Sequence, residues 1–487
     1  MAYIQGENKE QLTINPMCLD DYIEEDNICR VIDAFVRSLD MSELGFAYST
    51  TKQTGRPPYD PAHRLILYIY GYLNRIRSSR RLEAEAYRNI EVMWLIEKLT
   101  PDDKTICNFR KDNGKALKKV FRQFSLWCSE QGLYGKELIA VDGSKFRANA
   151  NRKSIHTKNG TAKKLAEIEK KISEYMNELE KNDEIEVSDT KLDSSRISEV
   201  LKHLNDKKDT LQEWLKKIEE NDDKEISTVD PDARLMHTNG DGRKLDACYN
   251  VQSVVDDKHK LIVDFEVTTC PDDKDALVTM TESAKEIMGV DTISTVGDKG
   301  YYDGEDIAKC EQNGTTCYIP KFADHAPAPD SRYNKSRFRY DKESDCYICP
   351  KGQVLPFKRI QKYKDRPDGR LYQSNQVCKN CPSRYLCISG KSDKSGRIII
   401  RNANQDALDS VNARMKTTEG YTTFSERKKI VEHPFGTTKA VWGYKQFICR
   451  GKEKTTGEAS LVFLAYNLRR VVNIFKQNRD SLIGVMA

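Results

Sequence analysis

The stretch ELIAVDGSKFRANA, residues 137–150, is where helical sequence gives way to strand: an apolar run from Leu138 to Val141 leads directly to Asp142 and Gly143. Two more strands are expected at Ala247 to Val255 and Lys260 to Val267, joined by the turn formers Asp256 and Asp257. A helix from about Asp273 to Met288 follows, then a short strand from Ser294 to Gly297 that ends on Asp298. A helix near Glu305 and a strand from Cys317 to Pro320 complete the pattern. The fold class implied is α/β, a mixed sheet with flanking helices whose first and fourth strands each carry an aspartate.

On the N-terminal side, Pro61 to Ile76 places apolar residues at helical spacing, with Asp60 as cap and Pro61 in the first turn. Helices are also expected at Ser79 to about Arg88, around Val92 to Leu99, and after Pro101, Asp102 and Asp103. Short helices with basic outer faces are the build of helix-turn-helix DNA readers, and equally of ordinary helical packing. From Lys52 to Arg88 eight basic residues face three acids, from Lys104 to Arg122 seven face Asp112 alone, and Lys145 to Lys164 holds seven and no acid. Any one such run is ordinarily a solvated face; three in succession tip the balance towards a phosphate backbone. Arg77, Arg80, Arg81, Arg110, Lys145 and Arg147 are the candidate DNA contacts in this part.

Two segments interrupt the α/β pattern. Leu165, Ile168, Ile172, Tyr175 and Leu179, then Ile197, Leu201, Leu204, Leu211, Leu215 and Ile218, alternate spacings of three and four, as an antiparallel helical hairpin of coiled-coil type does. Its role is open between dimerisation, DNA contact and a protruding arm. Residues 322–401 are turn-rich, basic and cysteine-bearing. Cys346 and Cys349, then Cys378 and Cys381, match the spacing of a four-thiolate zinc ribbon, with Cys387 as an alternative ligand or a bystander. Lys358, Arg359, Lys362, Lys364 and Arg366 would let that hairpin touch DNA.

The whole composition is that of a soluble, charge-rich globular chain: of 487 residues, 38% are hydrophobic and 32% charged, with a net charge of +5. No apolar run approaches a membrane span, and the first residues lack the basic and apolar regions of a secretory signal, so export is not expected. Fourteen cysteines in such a chain should be reduced thiols.

Asp142 in VDGS and Asp298 in GDKGYYD are each ordinary turn chemistry when taken alone. Set on adjacent strands they become ligands for hard divalent ions, and phosphodiester chemistry uses two such ions about 3.5–4 Å apart. SERKKIVEHPFGTTKAVWG adds Glu432, with Lys428 and Lys439 at offsets that share its face on an ideal helix, although Pro434 and Gly436 intervene.

With these motifs the chain resembles bacterial insertion-sequence transposases of the DDE class, with a ribonuclease-H-like catalytic core. VDGSKFRANANR, GDKGYYD and VEHPFGTTKAVWG carry the resemblance, and GRPPYDPAHRLILYIYGYLNRIRSSRRLE resembles the domain that precedes the core. One branch has a tyrosine, arginine, glutamate, lysine signature; here glutamate falls on Glu432 and lysine on Lys439, while Lys428 and Ser425 stand at the arginine and tyrosine positions. The resemblance implies Asp142, Asp298 and Glu432 as catalytic ligands of Mg2+ or Mn2+. It also implies cleavage at transposon ends, strand transfer into double-stranded target DNA, a homodimer on DNA, and a cytoplasmic, nucleoid-associated location. The competing expectations are an inactive transposase descendant that only binds DNA, and a nuclease on the same fold. The domains expected are a helical, basic, DNA-binding unit over 1–132 and a catalytic unit over 133–487, interrupted by insertions at 155–225 (helical) and 322–401 (cysteine-rich).

Overall fold

The computed structural model describes residues 18–49, 57–183, 191–220, 225–238, 244–273, 275–321, 328–363, 368–388 and 396–478; side chains at 178–198 and beyond 476 are not described. Lys364 and Arg366 lie outside these residues. The chain is a mixed α/β protein with N-terminal helices. Among the described residues no helix is long and apolar enough to cross a membrane.

Among the described residues six α-helices come before the sheet: α1 (Ile28–Arg37), α2 (Pro61–Leu73), α3 (Ser79–Arg88), α4 (Ile90–Leu95), α5 (Asp103–Asp112) and α6 (Gly114–Glu130). The caps are those the sequence prescribes: the Asp60 carboxylate accepts from Ala62 N with Pro61 in the first turn, and Asp102 accepts from Thr105 N.

The central sheet is built from β1 (Leu138–Arg147), β4 (Arg234–His237), β5 (Leu245–Asp256), β6 (Ile262–Thr268), β7 (Ile293–Val296) and β8 (Thr315–Tyr318). β1 pairs antiparallel with β5, and β5 antiparallel with β4 and β6, which share its other edge. On its second side β1 pairs parallel with β7, and β7 parallel with β8, by way of α9 (Ala276–Met288) and α10 (Gly304–Gln312). The expected helix from Asp273 thus starts at Ala276, behind Asp275 at φ 61°.

Between β1 and β5, β2 (Ile155–Thr157) pairs with β3 (Glu225–Ser227) and closes the base of a hairpin of α7 (Lys158–Asp183) and α8 (Lys191–Glu220). Ion pairs Lys158 to Glu219 (3.1 Å) and Lys208 to Glu169 (3.4 Å) set the two helices antiparallel. A second sheet, in the order β13 (Ile399–Asn402), β12 (Gly369–Tyr372), β11 (Val354–Gln361), β10 (Cys346–Ile348), β9 (Arg339–Asp341), carries the short helices α11 (Asn375–Lys379) and α12 (Arg384–Cys387). Its own buried cluster is small: Phe338, Tyr347, Leu355, Tyr372 and Ile399.

After α13 (Gln405–Arg414), α14 (Thr418–Ser425) and α15 (Arg427–Phe435), the chain runs through a π-helical turn, Gly436–Val441, into α16 (Lys452–Asn478). Leu461, Val462, Phe463, Leu464, Ala465, Tyr466 and Leu468 are all buried, so this stretch of α16 is enclosed by the protein on every side. It fills the space between the N-terminal helices and the sheet, where Phe265 of β6 contacts Phe121 of α6 (ring centroids 5.0 Å) and Phe463 (4.9 Å). One buried cluster therefore runs from Ile23 through the sheet to Ile474 and crosses the expected boundary at 132. The Asn467 amide pairs with the backbone N–H and C=O of Ile262, occupying groups that the edge strand β6 would otherwise leave open.

Glycines set the approach of α6 to α16. A Cβ on Gly457 would lie 2.7 Å from Gly114 Cα, and one on Gly114 only 2.4 Å from the Glu453 carbonyl. Both obstacles are backbone, so Gly457→Val is expected to cost about 1–3 kcal/mol. Urea denaturation checks this, and an unchanged midpoint would contradict the packing described.

Candidate active site on the central sheet

The register places two aspartates together. Ala140 of β1 stands opposite Val296 of β7 in the last parallel pair, and Asp142 and Asp298 each lie two residues further on. Neighbouring parallel strands thus deliver both carboxylates to the point where their pairing ends, although β1 itself runs on to Arg147 against β5 and Asp142 lies mid-strand, opposite Ser253. Asp298 also caps the turn Lys299–Tyr301, its Oδ1 accepting from Gly300 N at 2.6 Å.

Arg427, the first residue of α15, lies between them. Its Nη2 donates to Asp142 Oδ1 at 2.8 Å and stands 3.8 Å from Asp298 Oδ2. Burial pushes the Asp142 carboxyl up to about 6, against the lowering effect of Arg427 and with a further push from Asp298. Two like-charged carboxylates at one site call for a cation, and here a guanidinium supplies it.

A third carboxylate stands close by. Asp273 Oδ1 accepts from Gln252 Nε2 (2.6 Å) and Asn250 Nδ2 (3.0 Å), and lies 3.6 Å from Lys145 Nζ. Gln252 accepts in turn from the buried Tyr301 hydroxyl. Missing side chains make room for this acid: a Cβ on Gly143 would lie 2.8 Å from Asp273 Oδ1, and one on Gly300 would lie 3.1 Å from Oδ2. In the sequence Asp273 is indistinguishable from Asp246, Asp264 and Asp275. Gly143 and Gly300, each beside or near a candidate aspartate, were the available signal.

Glu432 is not with the pair. α15 turns Ile430, Val431 and Pro434 into the core and leaves Lys428 and Glu432 exposed on the adjoining face. Among the described residues no three acidic, histidine or cysteine side chains are gathered so as to hold a metal ion, so Glu432 does not complete such a set with Asp142 and Asp298. The expected interruption at Pro434 and Gly436 takes the form of a wider π-helical turn, with Thr438 Oγ1 donating to the Pro434 carbonyl at 2.8 Å. That turn carries Lys439 back to β1, where Nζ donates to Ser144 Oγ (2.7 Å) and the Lys145 carbonyl (2.6 Å). Burial pulls the Lys439 ammonium down to about 8.

The other basic candidates divide by exposure. Arg80, Arg81, Arg147 and Lys428 are exposed, with Arg80 also 3.2 Å from Asp103. Arg77 donates to the Gln446 carbonyl (2.8 Å), and Lys145 to that of Pro271 (2.7 Å). Arg110 is a correction: it is 3% exposed, donating to the Tyr72 hydroxyl and the Arg77 carbonyl, so it joins α5 to α2 and is not presented to a ligand.

The cysteine-rich segment also departs from its expected pattern. Strand alternation puts Tyr347 in the small core and turns Cys346 away from it, whereas Cys349, Cys378, Cys381 and Cys387 line one cavity. All fourteen cysteines are free thiols. Among the described residues no three or more histidine, cysteine or acidic side chains are already gathered so as to hold a metal ion.

The fold and the site define a mixed α/β protein that presents an acidic pair just past the last paired residues of two adjacent parallel strands. Residues 17–112 match a family model described as a transposase domain (DUF772), and residues 348–472 match one described as a transposase DDE domain. Together the matches support an insertion-sequence transposase and indicate a DNA transposase, a nucleotidyl-transfer enzyme. They cover less than half of the chain, and Asp142 and Asp298 fall between them. No curated protein and no solved structure gives a significant match.

Proposed function

We propose that this chain is a DDE transposase with a ribonuclease-H-like core, which cuts DNA at transposon ends and joins the freed 3′-hydroxyl to double-stranded target DNA. The observation that carries the reading is the equal offset of Asp142 and Asp298 from the last paired residues of β1 and β7. The strand order β6-β5-β1-β7-β8, antiparallel for three strands and parallel thereafter, supports the ribonuclease-H-like assignment.

The donor chemistry fits Mg2+ or Mn2+: both side chains offer hard oxygen ligands, and their mutual repulsion is relieved by a cation between them. The metal, when bound, supplies charge neutralisation at the attacking and leaving oxygens. Asp142 and Asp298 are its proposed ligands, and Glu432 is the third. Glu432 rides on the helix that delivers Arg427, about 140° further around it, so the reading requires α15 to exchange one residue for the other. Lys439 holds β1 at Ser144. Lys428, Arg80, Arg81 and Arg147 are proposed to meet DNA phosphates, with Arg77 and Lys145 alongside. Pairing of two DNA ends makes a homodimer the working form.

The test is an assay of labelled DNA carrying the element's own ends, with and without a divalent ion. The expected result is metal-dependent nicking followed by covalent joining to a second duplex. Nicking without joining would identify a nuclease, and end binding without nicking would identify an inactive descendant.

A further inference from the structure

The small sheet β9–β13 has a core of its own, separate from the main one. Among the described residues five buried side chains organise it, few for an independent core, and small units of this kind are commonly stapled by disulfides or a metal. No disulfide is present. Against this core lies a cavity of about 30 Å³ whose lining includes Cys349, Cys378, Cys381 and Cys387 together with Phe338 and Leu355.

Three backbone donors are aimed at the sulfurs. Lys351 N and Gln353 N both point to Cys349 Sγ at 3.4 Å, and Arg397 N points to Cys378 Sγ at 3.4 Å. The loop after Cys349 can curl around its sulfur because Gly352 takes φ 76°, closed by Gly352 N to the Cys349 carbonyl and Cys349 N to the Gln353 carbonyl, both 2.8 Å. N–H groups converging on sulfur are the donors that a metal-bound cysteine sulfur accepts from. Arg397 also donates to the Cys387 carbonyl at 3.2 Å, tying the fourth cysteine's backbone to the same strand lead-in.

We propose that Cys349, Cys378, Cys381 and Cys387 form a closed structural zinc site, and that Cys346 is not a ligand. The cavity holds a water-sized body, and side-chain rotation of the four thiols into it completes a tetrahedral set. Each thiol that binds releases its proton to solvent, so uptake is coupled to proton release and strengthens as pH rises. The site is remote in function from the acidic pair, and zinc content reports on it whether or not the chain transposes DNA.

The test uses the full chain. Wild type expressed in zinc-supplemented medium is expected to carry about one zinc per chain by elemental analysis. Cys346→Ser should keep that content, while Cys349→Ser and Cys387→Ser should each lose most of it. Cobalt exchange covers variants that fold poorly: wild type and Cys346→Ser should share the intense visible bands of a tetrahedral four-thiolate centre, which Cys387→Ser alters. Zinc-free wild type that takes up neither zinc nor cobalt overturns the site. Zinc retained by Cys387→Ser but lost from Cys346→Ser overturns the ligand set.

Discussion

Asp142→Asn is expected to lower DNA end cleavage at least about a hundredfold, the loss already reached when a mere partner of a metal ligand is removed. Binding of the DNA ends should remain largely intact, because the exposed basic residues proposed to carry it lie elsewhere on the chain. The substitution preserves shape and removes the charge. The neutral amide would still fit beside Arg427, but Asp298 would face a cation alone. Cleavage measured on a duplex end, with binding followed by mobility shift on the same DNA, separates the two effects. Wild-type cleavage by the mutant would remove Asp142 from the chemistry.

Arg427→Met is the second large effect. The guanidinium neutralises Asp142 at 2.8 Å and reaches towards Asp298 at 3.8 Å, so its loss leaves like charges facing one another. Breaking a fully buried pair costs about 3–5 kcal/mol. Asp298 is 43% exposed, so solvent screening brings the expected destabilisation to about 1–2 kcal/mol. The melting temperature of the DNA-free protein in EDTA should fall by a few degrees. Mg2+ should then raise it by more than it raises the wild type, whose arginine must first be displaced. Equal melting temperatures and equal responses to Mg2+ would show that Arg427 is not the resident cation of this site.

The contrast between Arg427 and Lys428 shows where reading motifs in one dimension stops. Counting back from Glu432 by a family spacing lands on Lys428, but an α-helix advances about 100° per residue, so the neighbour one step earlier faces another way. Which of the two meets Asp142 depends on how Ile430, Val431 and Pro434 seat α15 against the sheet. The same holds for the cysteines. Spacing pairs Cys346 with Cys349, yet the two-residue period of β10 sends Cys346 to the face opposite Tyr347, and a separate short helix, α12, brings Cys387 to the cavity.

Local signals carried much of the rest. Caps at Asp60 and Asp102, the apolar run before Asp142 and the turn at Asp256 and Asp257 are short-range chemistry, and the helices and strands stand close to where those residues put them. β4, α1 and α6 left no comparable mark, and the C-terminal helical stretch gave no sign that α16 would enter the N-terminal core. Its residues meet Phe121 and Phe265 only after hundreds of intervening positions have folded.

By itself, then, the sequence determined the element types, the two candidate aspartates and the likeness to transposases, because periodicity, capping and turn chemistry act between residues a few positions apart. The tertiary structure alone decided that β1 and β7 are neighbours, that Arg427 bridges their aspartates, that Asp273 occupies the space left by Gly143 and Gly300, and that Arg110 is buried. Each of those depends on which surfaces pack together, and packing joins residues whose separation along the chain carries no record of their separation in space.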